Sequence, residues 1–301
     1  MFLRFFALIT LTAIGVYWFH IHISPKDVTH YEQLIQESTE LRTKHALAEK
    51  PALQKRQNVQ KDIWSQNETR HFRIQSEQSE LTIAKTDAVE ELKNIHCHFK
   101  DDFILSADEG IYSFPSHQFT AQKNCHLLQN ANQIDGTLIH LDLNQEIVTY
   151  ENPKGFIASG PLRFTAKKLV WHKKQGKLIL TDDVTIEQPG QFTLKSNLGT
   201  LTLNEYEPTL LVLEGEVKLL STVIQDKISN ALADTLTYRP KEKSLLFSSA
   251  KKVLFWQDGL SLSASEVLIR EDKTVEGHGD VHFSFNFEEQ NYIDELFKNY
   301  L

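Results

Sequence analysis

Downstream of about Phe72, apolar and polar residues alternate with a period of two, the signature of strands with one buried face. The clearest unit begins with Phe164, Ala166, Leu169 and Trp171, whose phase slips by one residue between Ala166 and Leu169. A β-bulge or a corner produces such a slip. Lys173, Lys174, Gln175 and Gly176 then form a turn. Leu178, Leu180, Val184 and Ile186 carry the return strand, kinked at Asp182 and Asp183. The next unit repeats the grammar with Leu201 and Leu203, a turn near Asn204 and Glu205, then Leu211, Leu213, Val217 and Leu219. Leu236 and Tyr238 lead through a turn at Pro240 to Leu245, Phe247, Val253 and Phe255. Val267 and Ile269 lead through Asp272 to Val275, Val281 and Phe283. One apolar and one polar face per strand predict an antiparallel stack with a single interior.

The units recur. A small residue among polar ones stands at Ser76, Ala107, Asp135, Ala166, Ser196, Ala233 and Ala264, at spacings of 31, 28, 31, 30, 37 and 31. Five positions on come Leu81, Tyr112, His140, Trp171, Leu201, Tyr238 and Ile269. A period near 31 marks stacked supersecondary units that cannot bury their apolar faces alone, and it excludes most enzyme folds. The repeats from Ser76, Ala107 and Asp135 are degenerate, with closing strands near Ile95, Cys125 and Phe156.

The beginning of the chain has a different pattern. Residues 5–23 form an uncharged run of nineteen behind Arg4, about the length of a membrane-crossing helix. Tyr17 and Trp18 stand toward its outer end, where amphipathic rings suit the interface. The exit from His20 to Pro25 has no small residues at signal-cleavage spacing, which favours an uncleaved anchor over a secretory signal. Arg4 places the N-terminus in the cytoplasm and the body outside it. Residues 27–50 and 52–64 read as two short helices separated by Pro51, forming a stalk. The chain thus divides into residues 1–25 (transmembrane anchor), 26–70 (helical juxtamembrane stalk), 71–287 (one long β repeat domain) and 288–301 (a short terminal helix).

A formal charge of −8 with no basic cluster argues against a nucleic-acid partner. The only cysteines, Cys97 and Cys125, fall late in consecutive repeats. A disulfide between neighbouring rungs is one expectation, and two half-buried thiols the other. His96 and His98 share a strand face but lack a carboxylate to complete a metal site. Glu90-Glu91 and Asp101-Asp102 read as solvated faces. No nucleophile elbow, phosphate loop or dinucleotide glycine pattern occurs. The chain is expected to be non-enzymatic and without a cofactor.

The succession of small residue, apolar or aromatic residue, turn, Leu-x-Leu, Gly or Asp, and Val-x-Ile resembles the OstA-like repeat of lipopolysaccharide-transport proteins (the LptA and LptC family). It is clearest in residues 166–186, 196–219, 233–255 and 264–283. An uncleaved anchor before such a body is most similar to the bitopic LptC branch. The resemblance implies a twisted, open β-jellyroll in the periplasm, held at the inner membrane by a single pass. It further implies that lipid A acyl chains of lipopolysaccharide enter an apolar trough from an inner-membrane ABC transporter. They would then pass to an LptA-like periplasmic β-jellyroll partner. Trough candidates are Phe164, Leu169, Trp171, Leu178, Leu180, Val184, Ile186, Leu201, Leu211, Leu213, Val217, Leu236, Tyr238, Leu245, Phe247 and Val253. Coupling edges are expected at Phe72 and Ile74 on one side and at Ile269, Val281 and Phe283 on the other. The competing expectation is a β-solenoid envelope scaffold with a filled core that binds no lipid.

Overall fold

A computed structural model describes residues 33, 35–37, 40, 52–64, 70–84, 87–99, 103–158, 161–224, 227–257 and 259–285. They fall in two compact units. Met1–Ala52 with Ile83–Thr86 form one, and Leu53–Thr82 with Asp87–Leu301 the other. In the first, residues 33, 35–37 and 40 are helical and exposed. The anchor at 5–23, the remainder of the stalk before Ala52 and the terminal helix at 288–301 lie outside the described residues. Among the described residues no helix is long and apolar enough to cross a membrane.

The second unit is β-structure. Its strands are β1 (Ala52–Trp64), β2 (Arg70–Ile83), β3 (Ala88–Phe99), β4 (Phe103–Ser113), β5 (Gln118–Gln129) and β6 (Asn132–Asp142). Four short strands follow: β7 (Ile147–Glu151), β8 (Lys154–Ile157), β9 (Leu162–Thr165) and β10 (Lys168–His172). Long strands then resume as β11 (Lys177–Gln188), β12 (Phe192–Asn204), β13 (Glu207–Ile224), β14 (Lys227–Arg239), β15 (Ser244–Gln257) and β16 (Leu260–Ile269). β17 (Val275–His278) and β18 (His282–Phe285) complete the described order. The expected short helix over 52–64 is therefore corrected: this segment is β1, paired with β2. Its Lys, Gln and Arg content suits a helix in isolation, but pairing with a neighbouring strand overrides so weak a preference.

Successive strands pair antiparallel, and nearly every long strand bends once near its middle. β6 pairs with β7 through residues 138–142 and with β8 through 133–135. β11 pairs with β10 through 177–181 and with β9 through 185–187. β16 pairs with β17 through 266–269 and with β18 through 260–263. The half-strands thus form two sheets, here sheet I (with β7, β10 and β17) and sheet II (with β8, β9 and β18), joined along one column of bends. Both inner faces meet in one continuous apolar core. This is the antiparallel stack with a single interior that the alternation predicts.

The bends explain the period. On outgoing strands the small anchors lie at the bend with inward residues three and five positions beyond, as Ala166 does with Leu169 and Trp171. Most return strands bend through residues with positive φ: Asn94, Lys123 with Asn124, Asn152, Asp182 with Asp183, and Gly215 with Glu216. Two consecutive left-handed residues turn both side chains outward, so Leu180 and Val184 on either side still face the core. Glycine suits this bend because it adopts φ +77° at position 215 without steric cost. In several repeats the residue after the anchor ties to the bulge of the next strand. Asn94 Nδ2 donates to Glu77 Oε2 at 2.7 Å, Asn124 Nδ2 to Asp108 Oδ2 at 2.8 Å and Ser249 Oγ to Asp234 Oδ2 at 2.8 Å. Lys167 pairs with Asp183 at 2.7 Å. One anchor moves: the break between Gln122 and Cys125 on β5 faces Gly136 to Leu138. Gly136, not Asp135, therefore occupies the bend, and Leu141, not His140, points inward.

Candidate functional site

All sixteen trough candidates are buried in the shared core. Phe164, Val184, Ile186 and Val253 lie on sheet II halves, and Leu169, Trp171, Leu178, Leu180, Leu201, Leu211, Leu213, Leu236, Tyr238, Leu245 and Phe247 on sheet I halves. Val217 begins the sheet II half of β13. The sheets touch across the side opposite the bends, where the hairpins end. Tyr238 donates its hydroxyl to Gln188 Oε1 at 2.9 Å and meets Phe192 edge-on at 5.2 Å.

Around the four short strands, from β7 to β10, this seam holds two apolar cavities. The larger, about 40 Å³, is lined by Phe103, Leu127, Gln129, Asn132, Ile134, Phe156, Ile157, Phe164, Trp171, Leu178, Leu203 and Tyr206. Ten of those twelve side chains are aliphatic or aromatic. The smaller, about 20 Å³, lies among Phe99, Phe103, Leu105, Leu127, Ile139, Leu141, Val148, Tyr150, Trp171 and Lys173. Phe103, Leu127 and Trp171 belong to both. Phe103 from sheet II closes the seam, 5.1 Å from Trp171 and 5.4 Å from Tyr206 between ring centroids. Lys173 Nζ lies 5.0 Å from the Phe103 ring and 5.8 Å from that of Trp171, a cation–π roof. On the opposite wall, the Phe164 ring lies over Gly155, where a Cβ would meet Phe164 Cζ at 2.0 Å. Only glycine leaves room for that ring.

Of the cavity lining, the sequence singled out Phe164, Trp171 and Leu178 as trough residues. It passed over Phe103, Leu127, Tyr150 and Tyr206, which belong to degenerate repeats or to a turn. The usable signal was an aromatic residue at a strand end, where a closing ring reaches across two sheets.

The two ends of the interior differ. Toward β1, Glu90 is buried, pairs with Lys61 Nζ and accepts a hydrogen bond from Ser79 Oγ. This overturns its reading as a solvated carboxylate. Burial and, secondarily, the Glu90 charge raise the pKa of Tyr112, which stands opposite Glu90 in the β3–β4 register. Lys61 Nζ also lies 4.9 Å from the Phe114 ring. Phe72 and Ile74 sit on β2 between β1 and β3 and are wholly buried, so β1 lies outside them. Toward β18, Ile269 is buried on β16, which is paired with both β15 and β17. Val281 and Phe283, with Phe285, are exposed. Phe283 stands opposite buried Leu262 and so faces the interior side.

The disulfide expectation is corrected. Cys97 and Cys125 are free and buried. β4 runs between their strands, placing the Cα atoms about 9–10 Å apart or more, beyond the ~7 Å reach of a bridge. Burial raises both thiol pKa values, that of Cys125 to about 11. His96 and His98 are exposed on the outer face. Among the described residues no group of three or more His, Cys, Asp or Glu could hold a metal ion. Asp101, Asp102, His20 and His22 lie outside the described residues.

These elements define a bent-strand antiparallel β roll with an apolar interior. No family model matches the chain, and no curated protein does. Among solved structures it is similar to LptH from Pseudomonas aeruginosa, described as the LptA-homologous periplasmic component of the conserved lipopolysaccharide transport device. The likeness has 15% identity and a TM-score of 0.38, over 42% of this chain and 95% of that one.

Proposed function

We propose that this chain is a non-enzymatic carrier of lipid acyl chains in lipopolysaccharide export. In this reading residues 5–23 anchor it in the inner membrane, and the β roll stands in the periplasm. Acyl chains arrive from an ABC transporter and leave toward an LptA-like β-jellyroll partner. The observation that carries the reading is the seam, an apolar cavity between two sheets closed by side chains rather than by backbone pairing. Rotation of Phe103, Trp171, Tyr206 and Lys173 would open it without breaking a strand ladder. Each methylene moved from water into such a surface contributes about 0.8 kcal/mol, so no catalytic group is required. The repeat grammar resembling OstA-like proteins supports the substrate class. Exposed Val281, Phe283 and Phe285 support coupling at the β18 edge, where an incoming strand would cover them.

A second reading has its own support. Leu211, Leu213, Val217, Leu219 and Leu236 are all fully buried, as a scaffold with a filled core requires. A photo-crosslinking amino acid at Phe103, Trp171 or Tyr206, with Lys241 as outer control, separates the two in intact cells. Lipopolysaccharide adducts at the three seam positions and none at the control are expected. A folded, correctly located protein with no adduct at any of them would overturn the carrier reading and leave the scaffold.

A further inference from the structure

Two residues that line the seam cavities carry polar groups with nothing to bond to. The hydroxyl of Tyr150 and the indole Nε1 of Trp171 are buried and without a hydrogen-bond partner among the described residues. Tyr150 is 0% and Trp171 4% exposed. Both line the smaller cavity, and Trp171 also lines the larger. The β7–β10 register pairs Leu169 with Tyr150 and Trp171 with Val148, so the two donors lie diagonally on neighbouring strands of one inner face. Burial raises the Tyr150 pKa, which keeps the phenol protonated as a neutral donor.

Buried donors are nearly always satisfied, and leaving one unpaired is costly. Tyr112 and Tyr238 show the usual solution, with hydroxyls placed at His117 Nδ1 (3.3 Å) and Gln188 Oε1 (2.9 Å). Phenylalanine would fill the place of Tyr150 without the orphaned hydroxyl. A pure hydrocarbon guest would leave both donors unpaired. A guest with an oxygen within a few atoms of its chain would satisfy them while its methylenes cover Phe103, Leu127 and Val148.

We propose that the seam is a binding site for acyl chains bearing an oxygen acceptor, an ester or amide carbonyl or a chain hydroxyl, which docks on Tyr150 Oη and Trp171 Nε1. This rests on the carrier reading above and adds polar selection to it. The cavities have room for only a few water-sized groups, so the guest enters as Phe103 and Lys173 swing away.

The test compares two guests of equal heavy-atom count, methyl octanoate and undecane, delivered to the purified full chain from methyl-β-cyclodextrin. Their cyclodextrin affinities are measured separately and divided out. Once the difference in their transfer from water into hydrocarbon is also divided out, the ester is expected to bind about tenfold more tightly, the effect of one or two neutral hydrogen bonds. Tyr150→Phe and Trp171→Phe should each cut that preference several-fold, read as the ratio of ester to undecane affinity within each variant so that changes in apolar lining cancel. Equal binding of the two guests, or a preference that survives both substitutions, would overturn the proposal while leaving the carrier reading intact. Binding of neither guest would overturn the carrier reading beneath it. A second measurement needs no guest: empty Tyr150→Phe should melt at or above the wild-type temperature. A lower melting temperature would show the hydroxyl already satisfied by trapped water, and the proposal would fall.

Discussion

At the β1–β4 end the inner face finishes on Lys61 and Glu90, with Ser79 and Tyr112 around them. At the β16–β18 end it finishes on Val281, Phe283 and Phe285, all exposed. The same strand grammar builds both. The difference lies in what covers the last inward residues. The first end is covered by β1, a strand exposed along most of its length, which delivers Ile63 and one cation to the interior. The second end leaves benzyl groups open to water, which a free sheet margin avoids unless something docks there. One margin therefore ends on an ion pair and the other on exposed apolar side chains.

The largest test of this contrast removes the cation. Lys61→Met leaves Glu90 buried without its partner, and a loss of about 3–5 kcal/mol in urea unfolding is expected. The double variant Lys61→Met/Glu90→Leu should regain most of it. A single-variant loss below about 1 kcal/mol would mean that Glu90 is hydrated and the closure is not electrostatic.

Phenylalanines at the two ends give the next comparison. Phe72 is fully buried, stacked on Phe99 at 4.9 Å and edge-on to Phe119 at 5.7 Å. Phe72→Ala should cost about 3–5 kcal/mol, and Phe283→Ala less than about 0.5 kcal/mol. The same unfolding curves measure both, and equal losses would refute the difference between the ends. On the carrier reading, Phe283→Ser with Phe285→Ser should weaken capture by a periplasmic β-jellyroll partner in pull-down at unchanged stability.

Gly155→Ala tests the ground between the ends. It drives a methyl into the Phe164 ring and should cost about 1–3 kcal/mol, with Phe164→Leu as the second change that relieves it.

The smallest effect is on the outer face. Lys123 and Lys93 hydrogen-bond the Glu109 carboxylate and lower its pKa from 4.5 to about 2. A depressed folded-state value means the contribution is complete above the unfolded pKa and is lost as pH falls from about 4.5 toward about 2. Glu109→Gln should therefore narrow the gap between urea midpoints at pH 7 and pH 3. A gap equal to wild type would show the pairs to be without effect.

Strand parity was legible in the sequence, because a buried face imposes alternation that no other element needs. The phase slip at Ala166 and the Asp182-Asp183 kink already marked the bend column. The same rule failed at Asp135, where the small residue of the bend is its neighbour Gly136. β1 was hidden because a strand outside the main core carries no alternation to read. Glu90 was hidden for a different reason. Its partner Lys61 stands 29 residues upstream, on the segment misread as helix, and long-range pairing leaves no local trace. The seam itself depends on Phe103, Tyr150 and Tyr206 converging from separate repeats, which single-sequence periodicity does not register.

The bend column also governs how such a chain can change over generations. Outgoing strands bring a small side chain to the bend, and return strands bring a left-handed bulge that ties to the residue beside it. Loss of one strand would reverse the polarity of everything downstream and set bulge against bulge. Loss or gain of an out-and-back pair leaves every remaining bend with its proper neighbour. Reach therefore comes in whole increments of about thirty residues, like the links of a chain. A duplication or deletion of that size would lengthen or shorten the roll while leaving its two differently finished ends in place.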